Sequence, residues 1–416
     1  MAVNYDRQND QLKGIQYQRA SISRIVAGLD FNDNCIVTGG MDITFSNGAK
    51  VANRKLILEN IIERLVRESN RPIVVFYKSP YLINQFSEWY RTQNTRRKCS
   101  VISSSMIAHS SYGDNRRLAP FGGMLTEEII YTVKAMSSFM NIPFDQYSET
   151  FFEYLLSIIQ ESGYSLTFDN IMALVLRSDE DLSLLAKSLG LITASKFFAK
   201  SMNGSEIVKR VLKEMNNYFQ AYYQRDCTEK INICSEVRNN NVLFIEIDDQ
   251  YQTEMLEYFC NELKCCSRKC PYILLDDILI KNNPSLEDYL LQSTGLRFCM
   301  GAMDVSVVLS KDGLDDFLSQ TQTKFLLHYD NATAAEKITA SIGYYYHMKV
   351  SEEETANREA FKILNNSISK GYSVTDEKRL IIEGTDLTNL SAAQLFLIDS
   401  NSGRIFVDGL LEMKGE

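Results

Sequence analysis

The chain has 416 residues, 45% of them hydrophobic and 23% charged, which are the proportions of an ordinary folded protein and exclude a disordered or collagen-like one. At roughly 150 residues per domain, the length allows two or three domains, or one large core carrying an insertion. Forty-four Lys and Arg against 53 Asp and Glu leave a net charge of -9, so a nucleic-acid surface would have to be a local patch.

No stretch reaches the run of about 18 apolar residues that a membrane-spanning helix needs. The start, MAVNYDRQNDQLKG, lacks the apolar core of a secretory signal, and the expectation is a soluble, cytoplasmic chain. The first strand signal is NCIVT (34–38), a short apolar run ending in Gly39-Gly40. KVANRKLILENIIERLVRES follows, with Leu56, Ile57, Asn60, Ile61 and Leu65 at helical spacing. Arg71-Pro72 breaks it, IVVFY (73–77) reads as a second strand, and SVISS (100–104) as a third. Between about 125 and 226 the pattern changes to five consecutive helices, which predicts an inserted all-helical domain. Strand signals return at 241–248, 271–277, 296–303, 324–329, 395–399 and 403–409, and the acidic run SEEETANRE (351–359) reads as the exposed start of a helix.

Cysteine usage points to a reducing compartment: nine cysteines without framework spacing predict reduced thiols rather than disulfides. Cys260, Cys265, Cys266 and Cys270 read C-x4-C-C-x3-C, which is not zinc-ribbon spacing, and the helical periodicity of TEMLEYFCNELK predicts a buried Cys260. RTQNTRRK (91–98), with Arg116 and Arg117 and beside Trp89-Tyr90, is the basic cluster; it reads as a solvated helix end in preference to a nucleic-acid contact. His109, His328 and His347 are too scattered for a triad or a metal.

The strand-loop-helix GGMDITFSNGAK stands where backbone N-H groups at a helix start favour a bound anion. A working phosphate loop reads G-x-x-x-x-G-K-[ST]. Two registers compete: from Gly39, Thr44 takes the second glycine, Phe45 the lysine and Ser46 the hydroxyl; counted back from Lys50, Gly48 lies near the second glycine and Val51 at the hydroxyl. Neither contains Gly-Lys-Ser or Gly-Lys-Thr. An ordinary strand-to-helix loop that binds nothing stays open as well. PYILLDDILI is a strand ending in Asp276-Asp277, where phosphate-loop enzymes place a magnesium acid and a water-positioning acid.

The order of parts, from the glycine loop through IVVFYKSP, the helical insertion, NVLFIEID, YILLDD and LRFCMGAMD to KFLLHYDNATAAEKITASIG, resembles the motor domain of type IV secretion coupling proteins, the conjugative DNA-transfer ATPases. The resemblance implies an α/β, RecA-like P-loop nucleotide-binding fold with an inserted all-α domain: residues 1–122 and 236–416 forming the nucleotide-binding domain and 123–235 the insertion. It further implies ATP and Mg2+ as cofactors and a homo- or hetero-hexameric ring. The partners implied are secretion or conjugation machinery proteins with DNA as a cargo, and the place of work is the cytoplasm, held at the inner face of the membrane through those partners.

Carried over position by position, the phosphate loop falls on Gly39 to Ser46, with Gly39, Gly40, Thr44, Ser46 and Lys50 as the nucleotide-binding candidates. Asp276 corresponds to the magnesium acid, Asp277 to the catalytic Glu, and Arg297 to an arginine that the family places near the neighbouring subunit's nucleotide. Lys78 and Pro80 remain of the family's Asp-Pro-Lys-Gly, and Met303-Asp304 stands where a Gln sensor is usual. These departures lean towards weak or lost hydrolysis, a pseudo-ATPase. An adaptor that keeps only the shape, and an active translocase with an unusual loop, remain the alternatives.

Overall fold

The computed structural model describes residues 11, 13–30, 32–44, 48, 50–93, 95, 97–103, 117–200, 204–222, 230–266, 270–356 and 368–410. The strands are β1 (Ile15–Arg19), β2 (Cys35–Thr38), β3 (Asp42–Thr44), β4 (Lys50–Ala52), β5 (Ile73–Tyr77), β6 (Cys99–Ile102), β7 (Arg117–Leu118), β8 (Lys230–Ile231), β9 (Val242–Glu246), β10 (Tyr272–Asp276), β11 (Arg297–Ala302), β12 (Thr323–Leu326), β13 (Tyr344–Ala356), β14 (Ile368–Leu380), β15 (Gln394–Asp399) and β16 (Gly403–Asp408). Ten of them form one sheet in the order β1-β16-β15-β12-β2-β11-β10-β5-β9-β6. The run from β12 to β6 is parallel throughout, and β15 pairs antiparallel with both β12 and β16.

The central strands are continuous apolar runs because both faces of the sheet are covered. Val74 and Phe76 of β5, Leu243 and Ile245 of β9, and Ile273 and Leu275 of β10 enter one core. Their alternating neighbours Val75, Tyr77, Phe244 and Leu274 enter the other, against Ile57, Leu58, Ile61 and Leu65 of the Asn53–Glu68 helix. The first core also receives the helical segment. Among the described residues six helices follow one another between Thr126 and Phe219, one more than the sequence suggested: the additional one is the short Ile192–Phe198 helix. The chain enters and leaves this segment side by side, β7 pairing parallel with β8. Phe121, Phe168, Phe219 and Tyr258 lock the segment onto the Gln252–Cys265 helix, with Phe219 and Tyr258 ring centroids 4.6 Å apart and Phe168 edge-on to Phe219 at 4.9 Å.

Two expectations are corrected. Residues 351–356 are not the start of a helix but the second half of β13, which pairs antiparallel with β14 along its whole length; 357–359 lie outside the described residues. Its opening YYYHMKV is aromatic and β-branched, and register with a partner strand overrides the helix signal of the glutamates. The reduced-thiol expectation also fails for one pair, because Cys234 and Cys266 are joined by a disulfide, with Cα atoms 5.3 Å apart. Cys234 sits on the Ile233–Arg238 helix and Cys266 directly follows the Gln252–Cys265 helix, two elements whose meeting the sequence does not announce. Cys260 is buried, as its periodicity predicted.

The basic cluster has a structural use. Arg97 donates to four backbone carbonyls, those of Asn240 (2.9 Å), Ser69 (2.9 Å), Leu65 (3.3 Å) and Arg71, and burial lowers its pKa from the usual value. The Arg67 guanidinium lies 4.9 Å over the Trp89 ring. Residues 94, 96 and 116 of the cluster lie outside the described residues.

Candidate functional site

The pairing register sets where loops can converge. Asp276 of β10 is level with Tyr77 of β5 and Gly301 of β11, and Thr38 of β2 is level with Ala302 and with Leu326. Gly39-Gly40, Lys78-Ser79, Asp277 and Met303 therefore all leave the sheet at one carboxyl edge, where open α/β sheets build their ligand crevices.

Gly39 and Gly40 both have positive φ, +83° and +140°. Gly39 N-H points at the carbonyls of Ala302 (3.2 Å) and Met303 (3.1 Å), and Gly40 N-H donates to His328 O at 2.8 Å. These amides face protein carbonyls and not the crevice. Beyond them the chain does not wrap. It folds into the β3-β4 hairpin, pairing Asp42 with Ala52 and Thr44 with Lys50, and the helix begins only at Asn53. Asn53 pins the hairpin: its Oδ1 accepts from Met41 N-H at 3.0 Å, its own N-H donates to Met41 O at 2.9 Å, and its Nδ2 donates to Ala392 O at 3.0 Å. Of the residues carried over to the phosphate loop, Gly39 and Gly40 lie at the hairpin's root and Thr44 and Lys50 face each other across its strands. Ser46, with Phe45, lies outside the described residues.

The hairpin shifts the chemistry by several residues. In a strand-loop-helix phosphate site the lysine and the hydroxyl residue open the helix; here that place is held by Asn53-Arg54-Lys55, which neither register reached. The apolar stripe was the available signal, since it starts at Leu56-Ile57 and so puts Arg54 and Lys55 in the first turn. Arg54 Nη2 pairs with Asp277, Arg54 Nη1 donates to Met303 Sδ at 3.4 Å, and Lys55 Nζ stands 3.7 Å from Asp276 Oδ2. Two cations at a helix N-terminus oppose the helix dipole, and the first turn carries no acid of its own. The Asp pair supplies the compensation from the neighbouring strand end.

Asp276 is fully buried. Neither of its oxygens accepts a hydrogen bond, the Lys55 contact being an ion pair beyond hydrogen-bond length. Burial pushes its carboxyl up to about 6, opposed by the Lys55 charge. Asp277 sits at φ +57°, a left-handed conformation that Asp tolerates better than most residues, with its N-H donating to Gly301 O at 2.8 Å. Around these groups lies a cleft of about 410 Å³ lined by Asp42, Lys50, Arg54, Ser79, Tyr81 and Asp277 among others. Lys78 turns away to pair with Asp249 at 2.6 Å. Asp304 caps the Val305–Val308 helix through Ser306 N-H at 2.9 Å.

Arg297 is not part of this cleft. It opens β11 level with Tyr272, at the opposite end of the strands, and bonds to the carbonyls of Asn32 and Leu296.

No protein-family model matches the chain, and no curated protein sequence does. Solved structures do, and the class they define is the α/β, RecA-like fold of the bacterial conjugative coupling proteins. The chain is similar to the bacterial conjugative coupling protein TrwBdeltaN70 in its unbound monoclinic form, at 12% identity and a TM-score of 0.58, over 97% of this chain and 91% of that one. It is also similar to the plasmid coupling protein TrwB in complex with ADP and Mg2+ (12% identity, TM-score 0.53, 98% and 93% covered) and with an ATP analogue, ADPNP (12%, 0.55, 98% and 93%). The expected fold class is thus the fold found.

Tested against that nucleotide chemistry, the described residues do not fit Mg2+. Both carboxylates of the Asp pair already face a cation, and the helix start offers no hydroxyl ligand. A divalent ion at the pair would meet the Arg54 guanidinium and the Lys55 ammonium as like charges.

Proposed function

We propose that this chain is a coupling-protein-like component of a conjugation or type IV secretion machine, a RecA-type ATPase fold that recruits or moves DNA or protein substrates with weak or lost ATP hydrolysis. The likeness to TrwB over nearly the whole of both chains supports the machine, and the Arg54-Asp277 pair carries the reading of hydrolysis. Phosphoryl transfer needs a carboxylate free to position a water, together with a cation on the transferred phosphate. In this chain the one acid in that position is engaged by a guanidinium. The proposed setting is the cytoplasmic side of the membrane, with contact through machine partners, in a homo- or hetero-hexameric ring; no helix among the described residues is long and apolar enough to cross a membrane.

A phosphate-release assay on the purified chain with ATP and Mg2+ tests the catalytic part: the expected result is no turnover above that of Asp277→Asn. Turnover that this substitution abolishes would overturn it. The second reading is an adaptor that binds partners and no nucleotide. It draws support from the hairpin, whose root turns the Gly39 and Gly40 amides onto protein carbonyls. Calorimetric titration with ATP separates the two, because saturable heat favours the ATPase-fold reading and heat equal to dilution favours the adaptor.

A further inference from the structure

We infer that Arg54 and Lys55 are resident counter-ions standing in for a divalent metal at the Asp276-Asp277 pair, so that the cleft is closed to Mg2+ and Mn2+ and any polyphosphate it takes is held without a metal. The inference deepens the proposed function by resting on its assignment of the cleft as the family's nucleotide site.

Five observations carry it. Each carboxylate has its own cation, Asp277 the Arg54 guanidinium and Asp276 the Lys55 ammonium at 3.7 Å. Those cations are held inside, with side chains only 7% and 12% exposed, so they are not surface groups free to swing away. Asn53, the remaining polar residue of the helix start, has both side-chain atoms committed to Met41 and Ala392. Among the described residues, no group of three or more His, Cys, Asp or Glu side chains is arranged to hold a metal ion. The formal charges also balance: Lys50, Arg54 and Lys55 against Asp42 and Asp277 of the lining and the buried Asp276 behind it. A site that must hold a nucleotide with its magnesium has acids waiting for the metal and a lysine waiting for the phosphates. Here the chain's own helix sets a cation against each acid.

The test is Mn2+ titration followed by electron paramagnetic resonance, on the full chain without nucleotide. The wild-type chain should give the same bound fraction as Asp277→Asn. Arg54→Gln/Lys55→Gln should bind Mn2+ at least tenfold more tightly, and adding Asp276→Asn to it should abolish that gain. Wild-type Mn2+ binding that Asp277→Asn removes would overturn the inference, as would a double variant that is folded by circular dichroism and gains nothing. If the double variant does not fold, the comparison of wild type with Asp277→Asn decides alone, since Asp277 is 34% exposed and its neutral isostere keeps the shape. A parallel ATP titration in EDTA and in Mg2+ should give equal heats. Heat only with Mg2+ overturns the inference, whereas no heat in either counts against the nucleotide reading and leaves the Mn2+ result to stand by itself.

Discussion

Lys55, in the first turn of the Asn53–Glu68 helix, brings its ammonium to 3.7 Å from the Asp276 carboxylate at the end of β10. The pair couples the helix that follows the hairpin to the centre of the sheet. It is also an incompletely compensated one, because the carboxyl rests at about 6, above its ordinary 3.8.

That offset fixes a pH dependence. A carboxyl whose pKa is higher in the folded chain than in the unfolded one binds its proton more tightly when folded, so its contribution to stability is greatest below about pH 4 and is lost as pH rises towards 6. About two pKa units correspond to roughly 3 kcal/mol. Asp276→Asn should remove this fall: the unfolding free energy of the variant minus that of wild type should rise by about 2 kcal/mol between pH 4 and 7, read from urea unfolding at each pH.

Arg97 gives a prediction that separates structure from nucleic-acid binding. Its four carbonyl contacts tie the Asn53–Glu68 helix and the β5 and β9 entries together, so Arg97→Ala should cost about 2–4 kcal/mol of stability in urea unfolding. Arg97→Lys should recover only part of it, because an ammonium cannot span carbonyls on both sides of the fork. A variant of unchanged stability with weakened binding to single-stranded DNA would reverse the assignment.

Gly39 and Gly48 share nearly the same backbone, φ +83° and +81°, but not the same surroundings. A methyl group on Gly39 would lie 2.6 Å from His328 O and 2.9 Å from Leu327 O, while nothing among the described residues lies within 4 Å of one on Gly48. Gly48→Ala should therefore cost about 1 kcal/mol and Gly39→Ala about 3 kcal/mol or more, the difference being steric. Unfolding midpoints of the two variants give the comparison directly.

The Cys234-Cys266 bond closes a loop with a sequence separation of 32. Its loss in Cys234→Ser/Cys266→Ser should lower stability by about 3–4 kcal/mol through the freer unfolded chain. Thiol counting under denaturing, non-reducing conditions should fall at least two short of the nine cysteines of the sequence.

The sheet was legible where its strands are buried on both faces and so appear as uninterrupted apolar runs, from CIVT and IVVFY to YILLD; β1, an edge strand whose IQYQR is mostly exposed, carries no such run and was missed. Asp276-Asp277 was legible for the same reason, as polar residues closing such a run. The partners of that pair were not. The β3-β4 hairpin between the glycines and the helix displaced every count made from Gly39, and Lys50, read as helical, is a strand residue. β13 escaped because its charges mimic a helix face and its pairing partner lies beyond the residues that a local window sees. The disulfide escaped because only the packing of two helices brings its halves together.

The Cys234-Cys266 bond has a mechanical consequence as well. β9 lies inside the covalent loop while hydrogen-bonded to β5 on one side and β6 on the other. Pulled from its two ends, the oxidised chain can pay out everything except that loop, so its fully stretched length should fall short of the reduced chain's by roughly 110 Å, at about 3.5 Å per residue. The β9 strand, next to the sheet's edge, thus stays within a tether that tension alone does not release.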